Sequence, residues 1–351
     1  MSDYTVEISR GGVESFLENY RKHIIVDENV HKQYPALKLD SSILLTAVEE
    51  NKTLFKVSDL IESLRSQGAN RTATLAAIGG GITQDISTFC ASSYMRGIDW
   101  VYVPTTLLGM VDSCIGGKSS LNVGQYKNLA GNFFPPQNIF IDVDFCRTLT
   151  EQQLAEGLCE GVKICYAYSD EAFDKYLSLS NLDDTIHELE FEDIVSLCLK
   201  TKKKFVEEDE FDEGIRLLLN FGHTFGHAIE GACNFSIPHG IAVGLGMVCA
   251  YKVSLMLGLI ETNNTKVLRL LRYVSVLLKY MDGLDEILEN MDVELALQNF
   301  LSDKKHSDNG FVMILYDNEG GLVRKEIEQS KENKKMVLDA FSVLKKHDYE
   351  I

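Results

Sequence analysis

Up to residue 148, short apolar runs alternate with stretches at helical spacing, and several of the runs end in glycine or in Pro-Thr-Thr. Ile24–Val26 reads as a short buried strand. Thr53–Ser66 carries Leu54, Val57, Leu60, Ile61 and Leu64 near helical spacing. Leu75–Ile78 is an apolar run that ends in Gly79-Gly80-Gly81, and Ile82–Met95 reads as a helix stopped by Gly97. Trp100–Val103 runs into Pro104-Thr105-Thr106, and Asn138–Asp142 is a further strand candidate. Strand and helix in alternation predict a parallel sheet covered by helices. Such sheets bind nucleotides at the carboxyl ends of their strands.

The second half reads as mostly helical. Thr150 opens a T-x-x-Q capping box with Gln153. Leu154, Leu158, Val162 and Cys165 then form one apolar stripe. Further helices are predicted over Glu192–Val206, Arg216–Gly231, Gly240–Leu257 and Thr265–Lys279. All five prolines lie at or before Pro238, which leaves the last third free for long helices. The expected division is a domain over 1–148 and a second over 149–351.

The length of 351 residues suits two domains. No apolar run reaches about 18 residues, so no membrane span is expected. The opening MSDYTVEISRGG lacks the apolar core of a signal peptide. The eight cysteines show no CxxC pair and read as buried, reduced thiols, as in a cytoplasmic protein. A formal net charge of −18 argues against a nucleic-acid groove. An anionic substrate would then need a local cluster of cations.

Five groups of residues carry candidate chemistry. Gly79-Gly80-Gly81, after a strand and before a helix, would let a pyrophosphate approach the helix N-terminus, although a plain turn fits the triplet equally well. Asp85 follows, either as a hydrogen-bond acceptor for the cofactor or as an ordinary first-turn acid. Thr105 and Thr106 end the next strand, where their hydroxyls suit cofactor binding or simple capping.

The glycine-rich stretch Asp112–Asn132 reads as a loop, with Lys118, Lys127 and Asn128 suited to an anion or merely solvated. Glu160, His223 and His239 are the strongest set, because one carboxylate and two imidazoles with open positions suit a catalytic divalent metal. Glu160 lies roughly 200° from Leu158 around its helix, on a face shared with Lys163. His223 and His227 are four apart and share a helix face. No HExxH is present, which disfavours a zinc protease. Last, Lys202 joins Arg216 and Asn220, the latter two at i,i+4 and one turn before His223. A solvated charge run is the alternative for Lys202-Lys203-Lys204 and for Lys304-Lys305.

With these residues in view the chain resembles the 3-dehydroquinate synthase and sugar phosphate cyclase family. The carrying segments are GGGITQD (79–85), RGIDWVYVPTTLLGMVDSCIGGK (96–118), KNLAGNFFPP (127–136), EGLCEGVK (156–163), DEFDEGIRLLLNFGHTFGHAIE (209–230) and HGIAVGLGM (239–247). EENKTL (49–54) and SDKK (302–305) match more weakly. The resemblance implies an α/β Rossmann-like N-terminal domain and an all-α C-terminal domain, usually in a homodimer. It places Glu160, His223 and His239 as metal ligands for zinc or cobalt. It places Glu49, Lys52, Gly80, Gly81, Asp85, Thr105, Thr106, Lys118 and Lys127 at NAD. Asp112, Lys163, Lys202, Asn220 and His227 fall at catalytic positions. Arg96, Lys118, Asn128, Arg216, Lys304 and Lys305 fall at substrate positions, with Arg96 reaching the neighbouring subunit's site.

The implied reaction converts a seven-carbon keto-acid sugar phosphate to 3-dehydroquinate and phosphate. It proceeds by transient oxidation with NAD, phosphate elimination, reduction and an intramolecular aldol closure. The chain departs from the family pattern at Gln84, for a glycine, and at Ser119-Ser120, for Thr-Gly. It also departs at Val123–Tyr126, at Gly161 and at Ile241, for the glutamate of HGEAV. The alternatives are a cyclase for another sugar phosphate, a metal-dependent polyol or glycerol-phosphate dehydrogenase, and a non-catalytic relative.

Overall fold

The computed structural model describes residues 4–20, 22–39, 41–124, 126–182, 185–303, 306–307 and 310–346. Lys304 and Lys305, one of which is expected to contact the substrate phosphate, lie outside the described residues. The chain separates into two compact units. One comprises Met1–Leu149 with Glu190–Lys203, the other Thr150–Leu189 with Lys204–Ile351. The range 149–351 is thus not one continuous body: the stretch that carries Lys202 groups with the N-terminal unit.

Among the described residues, eight strands belong to the first unit: β1 (Thr5–Ser9), β2 (Ile24–Asp27), β3 (Ile43–Leu45), β4 (Thr74–Gly79), β5 (Asp99–Pro104), β6 (Lys118–Val123), β7 (Tyr126–Phe133) and β8 (Asn138–Asp142). Six of them form a sheet in the order β1-β8-β5-β4-β2-β3, parallel throughout. Its helices are α1 (Val13–Leu17), α2 (Glu28–Gln33), α3 (Leu54–Ser66) and α4 (Gly81–Ser93). Ile25, Val26, Leu75, Ala76, Ala77, Ile78, Val101, Tyr102 and Val103 are closed to solvent. Strands covered on both faces read as unbroken apolar runs, which is why these were visible in the sequence. The edge strands were not. β1 is mostly exposed and β3 has three residues, and short or polar edges limit pairing with other chains.

The stretch Asp112–Asn132, expected as a loop, is instead structured. A single π-helical turn covers Gly109–Ser113, and β6 and β7 form an antiparallel hairpin. The strands approach closely at Gly131, where a Cβ would lie 2.2 Å from the Ser119 carbonyl oxygen.

The second unit is helical. Its helices are α5 (Glu151–Tyr168), α6 (Asp170–Leu179), the end of α7 (Phe191–Glu208), α8 (His223–Ala232), α9 (His239–Met256), α10 (Thr265–Leu278), α11 (Leu284–Asn290), α12 (Val293–Leu301) and α13 (Lys331–Leu344). One antiparallel hairpin is added to them, β9 (Gly310–Tyr316) with β10 (Leu322–Glu328). The capping box at Thr150 and Gln153 forms as the sequence indicates. From Gly157 to Tyr166 every α5 side chain is buried, so Glu160 and Lys163 sit in the interior rather than on a polar face. The helix expected over Arg216–Gly231 is two elements: a 3-10 helix, Ile215–Asn220, and α8. Gly222, at φ +76°, makes the break.

Helix α9 is long and apolar enough to cross a membrane by length and composition, with mean hydropathy 1.3. It is 78% buried inside the protein, as a core helix is. Its glycines set its distance from its neighbours. A Cβ on Gly246 would lie 2.0 Å from the Gly222 carbonyl oxygen, and one on Gly240 would lie 2.3 Å from that of Glu156. Backbone-to-backbone contact thus brings α9 against both α8 and α5.

Candidate active site

That close packing brings three elements of the second unit to one point. Glu160 projects from the middle of α5, His223 from the first position of α8, and His239 from the first position of α9. One ligand atom from each lies within 4.8 Å of the others. Glu160 is fully buried. Its Oε1 stands 3.4 Å from His239 Nε2 and 3.6 Å from His223 Nε2, and makes no well-formed hydrogen bond to either. A buried carboxylate oxygen facing two imidazole nitrogens at 3.4 and 3.6 Å fits a divalent cation between them. The Nδ1 of His223 lies 3.2 Å from the Phe221 carbonyl oxygen, which assigns the proton to Nδ1 and leaves Nε2 as a donor pair.

The electrostatics of this cluster are those of a strongly coupled set. Burial opposes ionisation of Glu160. The ammonium of Lys163, 2.5 Å away and itself 2% exposed, together with His239 holds the carboxyl down to about 2. Burial would also strip His239 of its proton, but Glu230 and Glu160 push it up to about 10. Glu230 Oε1 is 3.5 Å from His239 Nδ1, on the side of the ring away from Glu160. Glu156, one turn before Glu160, is pushed up to about 7 by burial. His227 lies beside the two imidazoles, with ring centroids 5.5 Å from His223 and 5.6 Å from His239.

The sequence reading missed Glu230. Its signal was present, since His223, His227 and Glu230 follow an i, i+4, i+7 spacing that keeps all three on one face of α8. Arg216 is buried, and its guanidinium donates to the Glu210 carbonyl oxygen at 2.7 Å. The Asp209 carboxylate accepts from the backbone of Glu213, Gly214 and Arg216 and so shapes that turn. Arg216 and Asn220 do not share an α-helical face; they lie at the second and last positions of the 3-10 helix.

In the first unit the expected cofactor and substrate residues fall into three groups. Gly79 and Pro104 are register partners at the ends of β4 and β5. A Cβ on Gly79 would lie 2.4 Å from Thr83 Oγ1, and one on Gly80 would lie 3.0 Å from Thr106 Cγ2, so the first two glycines of the triplet leave no room for side chains. Gly80 precedes α4 without a capping side chain, and Gly81 opens the helix toward clear space. An uncapped helix N-terminus with bare backbone around it suits a pyrophosphate. Thr105 is buried, and Thr106 Oγ1 accepts from Gly109 N at 3.2 Å.

The second group joins Glu49, Lys52, Asp85, Lys127 and Asn128. Lys52 Nζ is 2.7 Å from Asp85 Oδ2 and donates to Asn128 Oδ1 at 2.9 Å. Lys127 pairs with Glu49 at 3.4 Å, and Asn122 Nδ2 donates to Glu49 Oε1 at 2.8 Å. Burial raises the Asp85 carboxyl, with Lys52 opposing. Burial would raise Glu49 too, but the Asn122 amide, Lys52 and Lys127 bring it below its ordinary value. In the third group, Lys202 is 6% exposed. It pairs with Asp112 at 2.8 Å and donates to the Asp112 and Ile115 carbonyl oxygens.

Lys118 is exposed at the start of β6. Arg96 is exposed at φ +71°. Gln84, where the family pattern has a glycine, lies buried inside α4 and bonds through Nε2 to the Ser113 carbonyl oxygen at 2.7 Å and through Oε1 to the Ser113 hydroxyl at 2.6 Å.

Comparison with known proteins adds an independent line. Residues 42–156 match the 3-dehydroquinate synthase N-terminal family and residues 157–306 the 3-dehydroquinate synthase C-terminal family. A 3-dehydroquinate synthase of Saccharolobus solfataricus is 38% identical over 291 residues, covering 82% of this chain and 80% of the relative. Among solved structures, a 2-deoxy-scyllo-inosose synthase complexed with carbaglucose-6-phosphate, NAD+ and Co2+ superposes with a TM-score of 0.82 at 24% identity, covering 96% of each chain. The 2-epi-5-epi-valiolone synthase of Streptomyces hygroscopicus, with NAD+ and Zn2+ bound, gives 0.83 at 23% identity, covering 99% of this chain and 98% of the other. These two establish a shared fold. With both family halves matched in order and a relative at 38% identity across most of the chain, the protein belongs to the 3-dehydroquinate synthase family.

Proposed function

We propose that this protein is a 3-dehydroquinate synthase-like phosphate lyase, which converts a seven-carbon keto-acid sugar phosphate to 3-dehydroquinate and phosphate using NAD and a divalent metal, zinc or cobalt. The observation that carries the reading is the convergence of Glu160, His223 and His239 beside Lys163, in a chain whose relatives at 32–39% identity bear that activity in their names. When bound, NAD would supply reversible hydride acceptance at a ring carbinol, and a metal held by Glu160, His223 and His239 would supply Lewis-acid polarisation of the carbinol oxygen.

The chain's own residues supply binding and alignment. Glu160, His223 and His239 are assigned to the metal. Gly80, Gly81, Thr105 and Thr106, at the ends of β4 and β5, are assigned to the cofactor with Glu49, Lys52, Asp85, Lys118 and Lys127. Lys118, Asn128, Arg216 and Asn220 are assigned to the phosphate and carboxylate of the substrate, with Lys304 and Lys305. Lys202, held by Asp112, keeps a charge in a nearly closed position, where it attracts an anion more strongly than in water. Fixing both ends of a flexible substrate also fixes the geometry for ring closure. The substrate's own phosphate is assigned as the base for elimination, so no dedicated protein base is needed.

The N-terminal α/β part is assigned to NAD, and the helical part to the metal. A cytoplasmic site of action is supported by eight buried cysteines that form no disulfide. A homodimer is what the family resemblance implies, and Arg96, which it places at the neighbouring subunit's site, is exposed.

One specific set of departures favours a second reading. Ser119, Ser120 and Ile241 differ from the family pattern, and the two superposed cyclases act in the same fold. A related cyclase for another sugar phosphate is the alternative. Purified protein with NAD and zinc or cobalt is incubated in turn with the seven-carbon keto-acid phosphate, heptulose phosphates and hexose phosphates, and phosphate release is followed. Turnover of the keto-acid phosphate alone supports the first reading. Turnover of a heptulose or hexose phosphate instead supports the second, and net NADH formation from a polyol would contradict both.

A further inference from the structure

Ser120 stands on β6 where the family pattern has a glycine, and it reaches both sides of the Lys52 cluster. Its backbone N–H donates to Asp85 Oδ1 at 3.1 Å. Its hydroxyl oxygen lies 3.2 Å from Asp85 Oδ2 and 2.8 Å from Asn128 Oδ1. Lys52 Nζ contacts the same two acceptor atoms, at 2.7 Å and 2.9 Å. A serine hydroxyl has a single proton, so it can donate to only one of the two acceptors at a time. A glycine at this position would keep the backbone bond to Asp85 and lose the hydroxyl link to both side chains.

The surroundings limit where that hydroxyl can go. Ser120 is paired in register with Gly131, and the close approach of β6 and β7 there fixes the strand. Asn128 holds a left-handed backbone, φ +53°, with its N–H bonded to Asn122 Oδ1 at 3.0 Å. From this one position the Ser120 hydroxyl reaches both acceptors, and rotation of its O–H bond alone decides which of them receives the proton. We propose that Ser120 is a positioning residue that ties Asp85 to Asn128 and orients the Asp85 carboxylate for the cofactor. This rests on the reading of Asp85 as an NAD contact. A ligand hydroxyl that donates to Asp85 frees the Ser120 proton for Asn128, so occupancy of the cofactor side changes the hydrogen bonding of the amide assigned to substrate.

The test is NAD binding by titration calorimetry on the full chain, for wild type, S120A, S120T, D85N and S120A/D85N, with thermal melting as the folding control. S120A is expected to raise the NAD dissociation constant about five- to tenfold, the order for losing one ordinary hydrogen bond. S120T, which keeps the hydroxyl, is expected to stay within about twofold. D85N is expected to weaken NAD binding, and S120A is expected to have no further effect in that background. Wild-type affinity in S120A, or an undiminished effect of S120A on top of D85N, overturns the proposal. Unchanged affinity in D85N removes the cofactor reading of Asp85, and the proposal falls with it.

Discussion

Lys163 and Glu160, one helical turn apart on α5, form an ion pair at 2.5 Å with both side chains shut off from solvent, at 2% and 0% exposure. Carboxylate and ammonium would each cost several kcal/mol to bury alone. Two opposed pairs fill this interior, Lys163 with Glu160 and His239 with Glu230. Lys163 therefore has a structural part, in keeping Glu160 ionised, beside its proposed catalytic one. Lys163→Met is expected to destabilise the metal-free protein by about 3–5 kcal/mol, because it leaves a buried carboxylate without its partner. Urea unfolding in the presence of a chelator measures this. A loss below about 1 kcal/mol would mean that the pair contributes little.

The coupled titration of the metal-free site gives a second prediction. Glu160 is held at about 2, below its ordinary 4.5, so its contribution to stability is complete above 4.5 and is lost as pH falls through about 2. His239 is held at about 10, above its ordinary 6.5, so its contribution is complete below 6.5 and is lost as pH rises through about 10. Metal-free protein should accordingly gain most from this pair between pH 4.5 and 6.5, and its Tm should decline from 6.5 toward 10. Metal must displace the proton on His239, so stabilisation by added zinc should be larger at the alkaline end. Differential scanning fluorimetry with and without zinc across this range checks both trends.

Gly246 is expected to be intolerant of any side chain. An added Cβ would meet the Gly222 carbonyl oxygen at 2.0 Å, a backbone atom that cannot rotate away. Gly246→Ala should cost about 1–3 kcal/mol or more by pushing α9 off α8. It should also lower zinc retention, since His239 and His223 begin those two helices. Metal content after dialysis, read alongside Tm, separates this from a stability loss elsewhere.

Burial pushes the thiols of Cys90, Cys114 and Cys146 up to about 12 and that of Cys233 up to about 11. Thiolate is the reactive form. The folded protein should therefore resist a disulfide-exchange reagent at pH 8, while all eight cysteines react in denaturant. Fast reaction of a native thiol would show that one of these positions opens.

The residues visible in advance were those whose physics is local. The buried strands Leu75–Ile78 and Trp100–Val103 announce themselves by unbroken apolar runs, and Thr150 with Gln153 by capping chemistry. The order of motifs placed Glu160, His223 and His239, and the structure brings these three side chains together. Other features depend on distant partners. The β6–β7 hairpin looked like a loop because glycines and polar residues dominate it, and its polar groups are satisfied by Asp85, Lys52 and Glu49 from far along the chain.

The β9 strand GFVMILY is buried at every residue, and such a run carries no period to distinguish strand from helix. The break at Gly222 was hidden by the helical spacing on either side of it. The interior position of Glu160 and Lys163 could not be read from helix angles, because α5 is buried all round.

The most direct test follows phosphate, carbocyclic product and NADH together in one reaction of the purified protein with NAD, zinc or cobalt, and the seven-carbon keto-acid phosphate. Equimolar phosphate and 3-dehydroquinate with no accumulation of NADH, and loss of both products in Glu160→Gln, is the predicted result. NADH that accumulates without phosphate, or turnover that survives Glu160→Gln with metal removed, would contradict the account.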